Sequence, residues 1–151
     1  MYVAGYYLSA PLVVYDSSGF NVKTLPNSGN VGAYLIKYAT NGTFLWAARQ
    51  DGSNDDEAYA LSTDSSGNVY VSGYYSSSPL VIYDASGVNV KSLVNSGSYG
   101  AYVVKYLSSG SFSSISTTVA RTTTSAYVTG TTTNTLSQMP VISVVTVIAA
   151  T

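Results

Sequence analysis

One long duplication limits the folds that this chain can adopt. Residues 2–44 recur without a gap as residues 70–112, an offset of 68 residues, and 27 of the 43 aligned positions are identical. A repeat of this length is typical of proteins built as arrays of similar units, each of which buries an apolar face against its neighbour. We therefore expect the fold to repeat with the same period.

Short turn motifs separate runs of aromatic and β-branched residues in both copies. The pattern Asp-x-x-Gly occurs at residues 16–19, 64–67 and 84–87. In such a turn Asp caps the backbone and Gly takes a positive φ. The Thr-Asn-Gly sequence at residues 40–42 predicts a hairpin with a primed turn, because Asn-Gly favours that geometry.

Two glycines at equivalent positions interrupt strand-like runs. Gly5 and Gly73 each follow a strand-like Tyr-Val pair, and a glycine inside a strand indicates a bulge or a close approach of another backbone. No segment has a convincing helical pattern, and the flanking residues have high β-propensity. The fold class is therefore predicted to be all-β.

One stretch resembles a known repeat family. Residues 55–73 read Asp-Asp-Glu-Ala-Tyr-Ala-Leu-Ser-Thr-Asp-Ser-Ser-Gly-Asn-Val-Tyr-Val-Ser-Gly, which resembles the SBBP-type β-propeller repeat. That family has an acidic loop, a strand ending in Asp-x-x-Gly-Asn, and a strand of the Val-Tyr-Val-Thr-Gly type. The full repeat is also similar to tandem repeats of giant-virus and environmental surface proteins. The resemblance implies tandem four-stranded antiparallel blades and no common enzymatic activity.

In these terms residues 1–151 are predicted to form a single repeat domain. Residues 1–50 would be a partial blade that lacks its innermost strand, residues 57–116 a full blade, and residues 117–151 a degenerate partial blade. From the innermost outwards, the strands of the full blade are expected at residues 57–63, 68–75, 100–106 and 111–116. The alternative is a β-sandwich or β-solenoid, in which the inserts at residues 12–15 and 80–83 pair with each other.

Composition excludes several functional classes. Charged residues make up 9 % of the chain and the net charge is −1, so there is no electrostatic basis for a nucleic-acid partner. No apolar run reaches the roughly 18 residues of a membrane helix, which argues against membrane insertion. Cys and His are both absent, which removes thiol chemistry and the commonest general base and metal ligand. We predict that the protein is not an enzyme and has no catalytic residue.

The acidic loop is the only carboxylate cluster in the sequence. It contains Asp51, Asp55, Asp56 and Glu57, and calcium takes six to eight oxygen ligands of this kind. The spacing does not match an EF-hand, and the loop occurs once. We expect a solvated connection and no cofactor, and keep a calcium site at these four residues as the alternative.

Aromatic residues suggest a second candidate site. Tyr6, Tyr7, Trp46, Tyr74 and Tyr75 could form a stacking platform for sugars, because an aromatic ring offers an apolar face and, in Tyr and Trp, a polar tip. Cross-strand packing between neighbouring repeats is the favoured interpretation of the same residues.

Function is predicted from architecture because no catalytic constellation is present. The first hypothesis is a structural or display module of an extracellular, virion-surface or filament assembly, and the alternative is a carbohydrate-binding module. Closed propellers need four to eight blades, so exposed strand edges should recruit further copies of the chain. The copies would close a ring of about three chains or continue as a filament, with the apolar run 141–150 as a candidate donated strand.

Overall fold

The computed structural model describes residues 1–119, which form eleven β-strands and contain no helix. Residues 117–119, predicted as the start of the third partial blade, belong instead to the outer strand of the full blade, and residues 120–151, which include the segment 141–151, lie outside the described residues. The strands are β1 (Tyr2–Tyr7), β2 (Leu12–Tyr15), β3 (Asn21–Leu25), β4 (Gly32–Tyr38), β5 (Phe44–Asp51), β6 (Asp56–Thr63), β7 (Val69–Tyr75), β8 (Leu80–Tyr83), β9 (Asn89–Leu93), β10 (Gly100–Tyr106) and β11 (Phe112–Val119). Among these residues there is accordingly no helix long and apolar enough to cross a membrane. The all-β prediction is confirmed.

One sheet is a four-stranded antiparallel blade. Its strand order is β6-β7-β10-β11, with β6 at one edge and β11 at the other. The order is the one predicted from the sequence. The prediction of a blade-like, propeller-type unit is therefore confirmed.

The second sheet combines strands from both copies. Its order is β1-β4-β5-β8-β9, so three strands of the first copy are extended by a hairpin of the second copy. The junction is short and antiparallel, with Gln50 opposite Ile82 and Asp51 opposite Val81. Within residues 1–119 the first copy has no strand that corresponds to β6, and β1 is the edge of the sheet.

The inserts do not pair with each other, so this part of the sandwich or solenoid alternative was wrong. Strand β2 pairs with β3 in a separate two-stranded sheet, while β8 pairs with β9 and with the end of β5. Each insert returns on itself through an Asp-x-x-Gly turn, which satisfies one edge of each strand locally. The local hairpin leaves only one edge for contact with the rest of the fold.

All five tight turns of the described chain place a glycine in the left-handed region, at φ between 75° and 91°. The Asp-x-x-Gly turns form as predicted, with the aspartate accepting backbone N–H groups. The primed turn predicted at residues 40–42 was wrong, because Gly42 alone has a positive φ. A type I turn followed by one left-handed glycine suits the irregular register at Lys37 and Tyr38, and it needs only that one residue.

Two cores hold the strands together. The larger core lies between the two sheets and includes Leu35, Val71, Leu80 and Tyr102. The smaller core lies on the other face of the first copy, where the β2–β3 hairpin covers β1, β4 and β5. The larger core joins residues of both copies, so the repeats form one packed unit.

Candidate functional site

The five aromatic residues proposed as a sugar platform do not share one surface. Tyr7, Trp46 and Tyr75 are buried in the cores. The Tyr7 hydroxyl donates to the Pro26 carbonyl at 2.6 Å, and the Trp46 indole N–H donates to the Ser108 carbonyl at 3.1 Å. The five residues of this alternative are therefore not brought together as one platform, and the three buried ones pack in the cores. Successive residues of a strand point to opposite faces, so Tyr7 and Tyr75 point away from their neighbours Tyr6 and Tyr74.

The other two tyrosines belong to a row of exposed and partly exposed rings that we call the tyrosine strip. It consists of Tyr6, Tyr59, Tyr74 and Tyr99. Ring centroids are 6.4 Å apart between Tyr6 and Tyr59, 5.7 Å between Tyr59 and Tyr74, and 5.5 Å between Tyr74 and Tyr99. Tyr59 and Tyr99 are among the most exposed aromatic residues. The strip crosses from the first sheet to the second.

Glu57 lies at the centre of the tyrosine strip. Its two carboxylate oxygens accept hydrogen bonds from the hydroxyls of Tyr59, at 2.6 Å, and Tyr74, at 2.8 Å. Desolvation, and then the hydrogen bond to this carboxylate, raise the pKa of Tyr59 to about 12 and raise the pKa of Tyr74 as well. Both phenols therefore stay neutral donors near pH 7. The strip offers apolar ring faces around one carboxylate.

Sequence reasoning missed Tyr59 because no local pattern shows that β6 lies beside Tyr6 of β1, although alternation does place Tyr59 on the same face as Glu57. The β6–β7 register shifts between Ala58 and Ala60, directly at Tyr59. The repeat alignment gives no help, since Tyr59 has no counterpart within residues 1–50.

The carboxylates of the acidic loop serve different partners. Asp51 pairs with Arg49 and accepts the Ser28 N–H, while Glu57 belongs to the tyrosine strip. Asp55 takes part through its backbone, which bonds the backbone and hydroxyl of Ser76. Among residues 1–119 no group of three or more acidic side chains is placed to hold a metal ion. The calcium site at these four residues therefore lacks the required geometry.

Asp56 is the most unusual of these carboxyls because it is fully buried. Its two oxygens accept the backbone N–H of Ser77 at 3.2 Å and the hydroxyl of Ser77 at 2.6 Å. Burial raises the pKa of Asp56 to about 6, against the opposing effect of the Ser77 hydrogen bonds. The residue fixes the start of β6 to the end of β7 and has no access to a substrate.

The junction between the two copies is built from polar and aromatic contacts. The Arg49 guanidinium stacks on the Tyr83 ring at 3.5 Å from its centroid, and the Gln50 side-chain amide donates to the Tyr106 hydroxyl at 2.8 Å. Tyr106 in turn donates to the Tyr83 carbonyl at 3.0 Å. The end of β5 therefore recognises two tyrosines of the second copy.

The first copy repeats the receiving half of this junction. Tyr15 and Tyr38 occupy the positions of Tyr83 and Tyr106, and the Tyr38 hydroxyl donates to the Tyr15 carbonyl at 3.1 Å. Tyr15 is 56 % exposed, and in the described part of the chain no strand lies beside it as β5 lies beside β8. The site that receives a neighbouring repeat is therefore formed twice and occupied once within residues 1–119.

Comparison with known proteins supports the repeat fold. Over 104 residues, or 69 % of the chain, the sequence is 31 % identical to a protein of Acanthamoeba polyphaga mimivirus named as an uncharacterised WD repeat-containing protein. The chain spans 8 % of that relative's length. No family model matches the chain, and no solved structure matches it. WD repeats form β-propeller blades, so this similarity and the four-stranded sheet together show a propeller-like repeat fold.

Proposed function

We propose that the chain is a non-enzymatic structural module that packs against further units of its own kind, in an extracellular, virion-surface or filament assembly. The main support is the junction of the two copies, where a hairpin of one repeat extends the sheet of the other. The SBBP-type resemblance and the similarity to a viral WD repeat-containing protein agree with a module that acts by contact with other proteins.

A packing face supports assembly on one side of the unit. In the first copy Ala33 and Leu35 of β4 are fully buried against the second copy. Their counterparts in β10 are Ala101, which is exposed, and Val103, which is partly exposed, within the described residues. The second copy therefore presents the same apolar face that the first copy uses for packing. A further unit placed there would repeat the contact already present in the chain.

The second support is the site around Tyr15 at the opposite end of the two-copy unit. One end offers a face that packs onto a neighbour, and the other end offers a site that receives one, so the contact between units is head-to-tail. Such a contact closes into a ring when its rotation divides the circle and otherwise continues as a filament. A ring of about three copies would reach the blade number of ordinary propellers.

Substituting Val103 by Asp is expected to raise the protein concentration needed for assembly by at least about tenfold, because the carboxylate would be buried at the contact between units. The measurement is the particle mass by light scattering after size-exclusion chromatography, which should exceed 15.8 kDa for the unchanged chain. Val94→Asp is the matched control, since Val94 is 76 % exposed and lies outside the packing face. A stable monomer of the unchanged chain, or an equal effect of both variants, would contradict the proposal.

Carbohydrate binding is the second candidate function, and the tyrosine strip is the observation that favours it. Sugar rings stack on exposed aromatic faces, and a carboxylate such as Glu57 accepts their hydroxyls. If the candidate holds, Tyr59→Ala should lower binding on a glycan array by about tenfold or more, while Phe20→Ala, which changes an exposed aromatic residue outside the strip, should leave it unchanged. An array without any bound glycan would reject this candidate.

A further inference from the structure

Strand β1 has an unpaired edge within residues 1–119, although its counterpart β7 is paired along its whole length by β6. We propose that this edge binds an inner strand of the β6 type, with the sequence of residues 55–63, carried by another unit of the same repeat. The inference deepens the proposed assembly function and rests on it. It identifies the type of strand that is bound and the residues that recognise it.

The pairing of β6 with β7 supplies the register of the proposed contact. In the second copy Asp56 lies opposite Tyr75 and Thr63 lies opposite Val69. With the offset of 68 residues, the bound strand would run antiparallel to β1 from Tyr7 back to Met1. Main-chain hydrogen bonds would supply the affinity, as in other cases where an extended segment joins a sheet edge.

Gly5 of β1 is the position at which a strand of the β6 type would approach most closely. In the second copy a Cβ on Gly73 would lie 1.8 Å from the Glu57 carbonyl oxygen, so β6 can approach β7 only because residue 73 is glycine. The nearest atoms to a Cβ on Gly5 would be those at the end of the Tyr34 ring, with the hydroxyl oxygen 2.9 Å away. The three atoms nearest to this Cβ belong to a side chain and not to backbone, so the first copy alone requires glycine less strictly here than the second copy does at Gly73. An incoming strand of the β6 type would require glycine here.

Two hydrogen-bonding groups, one beside Gly5 and one just after β1, match the same partner. The Tyr102 hydroxyl donates to the Glu57 carbonyl of β6 at 3.3 Å, and its counterpart Tyr34 has a hydroxyl beside Gly5 with no hydrogen-bond partner among residues 1–119. Ser77 donates twice to Asp56 of β6, and its counterpart Ser9 is exposed. The edge of β1 thus offers donors for one backbone carbonyl and one aspartate.

These groups select the occupant. A strand with an aspartate at its start would satisfy Ser9, as Asp56 satisfies Ser77. The apolar run 141–150 contains no carboxylate, so it would leave Ser9 without its acceptor. The β6-type strand is therefore the better partner of the two.

The test uses the full chain and a fluorescently labelled peptide with the sequence of residues 54–64. We expect saturable binding by fluorescence polarisation, a loss of at least tenfold in affinity for Gly5→Ala, and a smaller loss for Ser9→Ala. Gly5→Ala should keep the circular dichroism spectrum of the unchanged chain, because its Cβ displaces only the Tyr34 ring end. Phe20→Ala, which changes an exposed aromatic residue in a distant turn, is the control. Should Gly5→Ala fail to fold, Ser9→Ala gives the same readout at an exposed position.

Three results would overturn the inference. The first is no saturable binding of the peptide, and the second is binding by the Gly5→Ala and Ser9→Ala variants that is as tight as binding by the unchanged chain. The third is tighter binding of a peptide with the sequence of residues 141–151 than of the peptide 54–64. The proposed function fails separately. Assembly that is insensitive to Gly5→Ala and to the peptide would leave the module function standing and reject the binding of a β6-type strand at the edge of β1. Peptide binding by a chain that stays monomeric would support the binding site at β1 and reject the proposed assembly function.

Discussion

Replacing Gly73 by alanine is expected to lower the free energy of unfolding by about 3 kcal/mol or more. The new Cβ would lie 1.8 Å from the Glu57 carbonyl oxygen, and the nearest atoms belong to the backbone of β6. A backbone cannot move aside as a side-chain end can, so β6 must separate from β7 locally. The loss should appear as a shift of the midpoint in urea unfolding followed by circular dichroism.

Gly5→Ala is the matched control for this substitution, because Gly5 occupies the same place in the other copy. Its Cβ would meet the end of the Tyr34 ring, and we expect a loss below about 1 kcal/mol. Similar losses at both positions would show that the contact with Glu57 is not the cause.

Stability is expected to fall as the pH rises from about 4 to about 6, by on the order of 2 kcal/mol. Burial raises the pKa of Asp56 from its ordinary value near 3.8 to about 6, so the folded state holds this proton more tightly than the unfolded state does. The stabilising contribution is complete below the unfolded pKa and is lost as the pH passes through the folded pKa. The measurement is a series of urea midpoints across this range.

Two other carboxyls act in the opposite sense and at lower pH. Hydrogen bonds from neighbouring groups in their turns hold the pKa values of Asp64 and Asp84 below the ordinary value, so their stabilising contribution is present above pH 4 and is lost on further acidification. Asp56→Asn should remove the fall between pH 4 and 6, since an amide can keep both contacts with Ser77. Asp55→Asn should preserve it. A pH slope that survives Asp56→Asn would assign the titration to another group.

The sequence predicts the strands and the blade well because both depend on local chemistry. The β-rich runs and the Asp-x-x-Gly turns fix where the chain extends and where it reverses. The duplication then shows that residues 2–44 and 70–112 share one local structure. Nothing in residues 80–83 shows, however, that they pair with the end of β5, because either edge of a short apolar strand can accept a partner.

The candidate sites were harder to predict for the same reason. Alternation separates Tyr6 from Tyr7, but which of them faces a core depends on where the β2–β3 hairpin packs. The acidic loop looks like one cluster in the sequence, whereas tertiary contacts direct Asp51 to Arg49 and Asp56 to Ser77. The tyrosine strip combines residues separated by up to 93 positions, and no local pattern connects them.

The chain crosses between its two sheets, and this crossing couples the blades mechanically. After β7 is laid down in the second sheet, the chain leaves to add β8 and β9 to the first, and then returns as β10. Neither sheet is made from one continuous segment of polypeptide. One sheet therefore cannot be separated from the other without also breaking hydrogen bonds between the strands of that other sheet. A pulling force along the array would therefore have to break strand pairing in both sheets of a repeat together, and could not separate the units one by one.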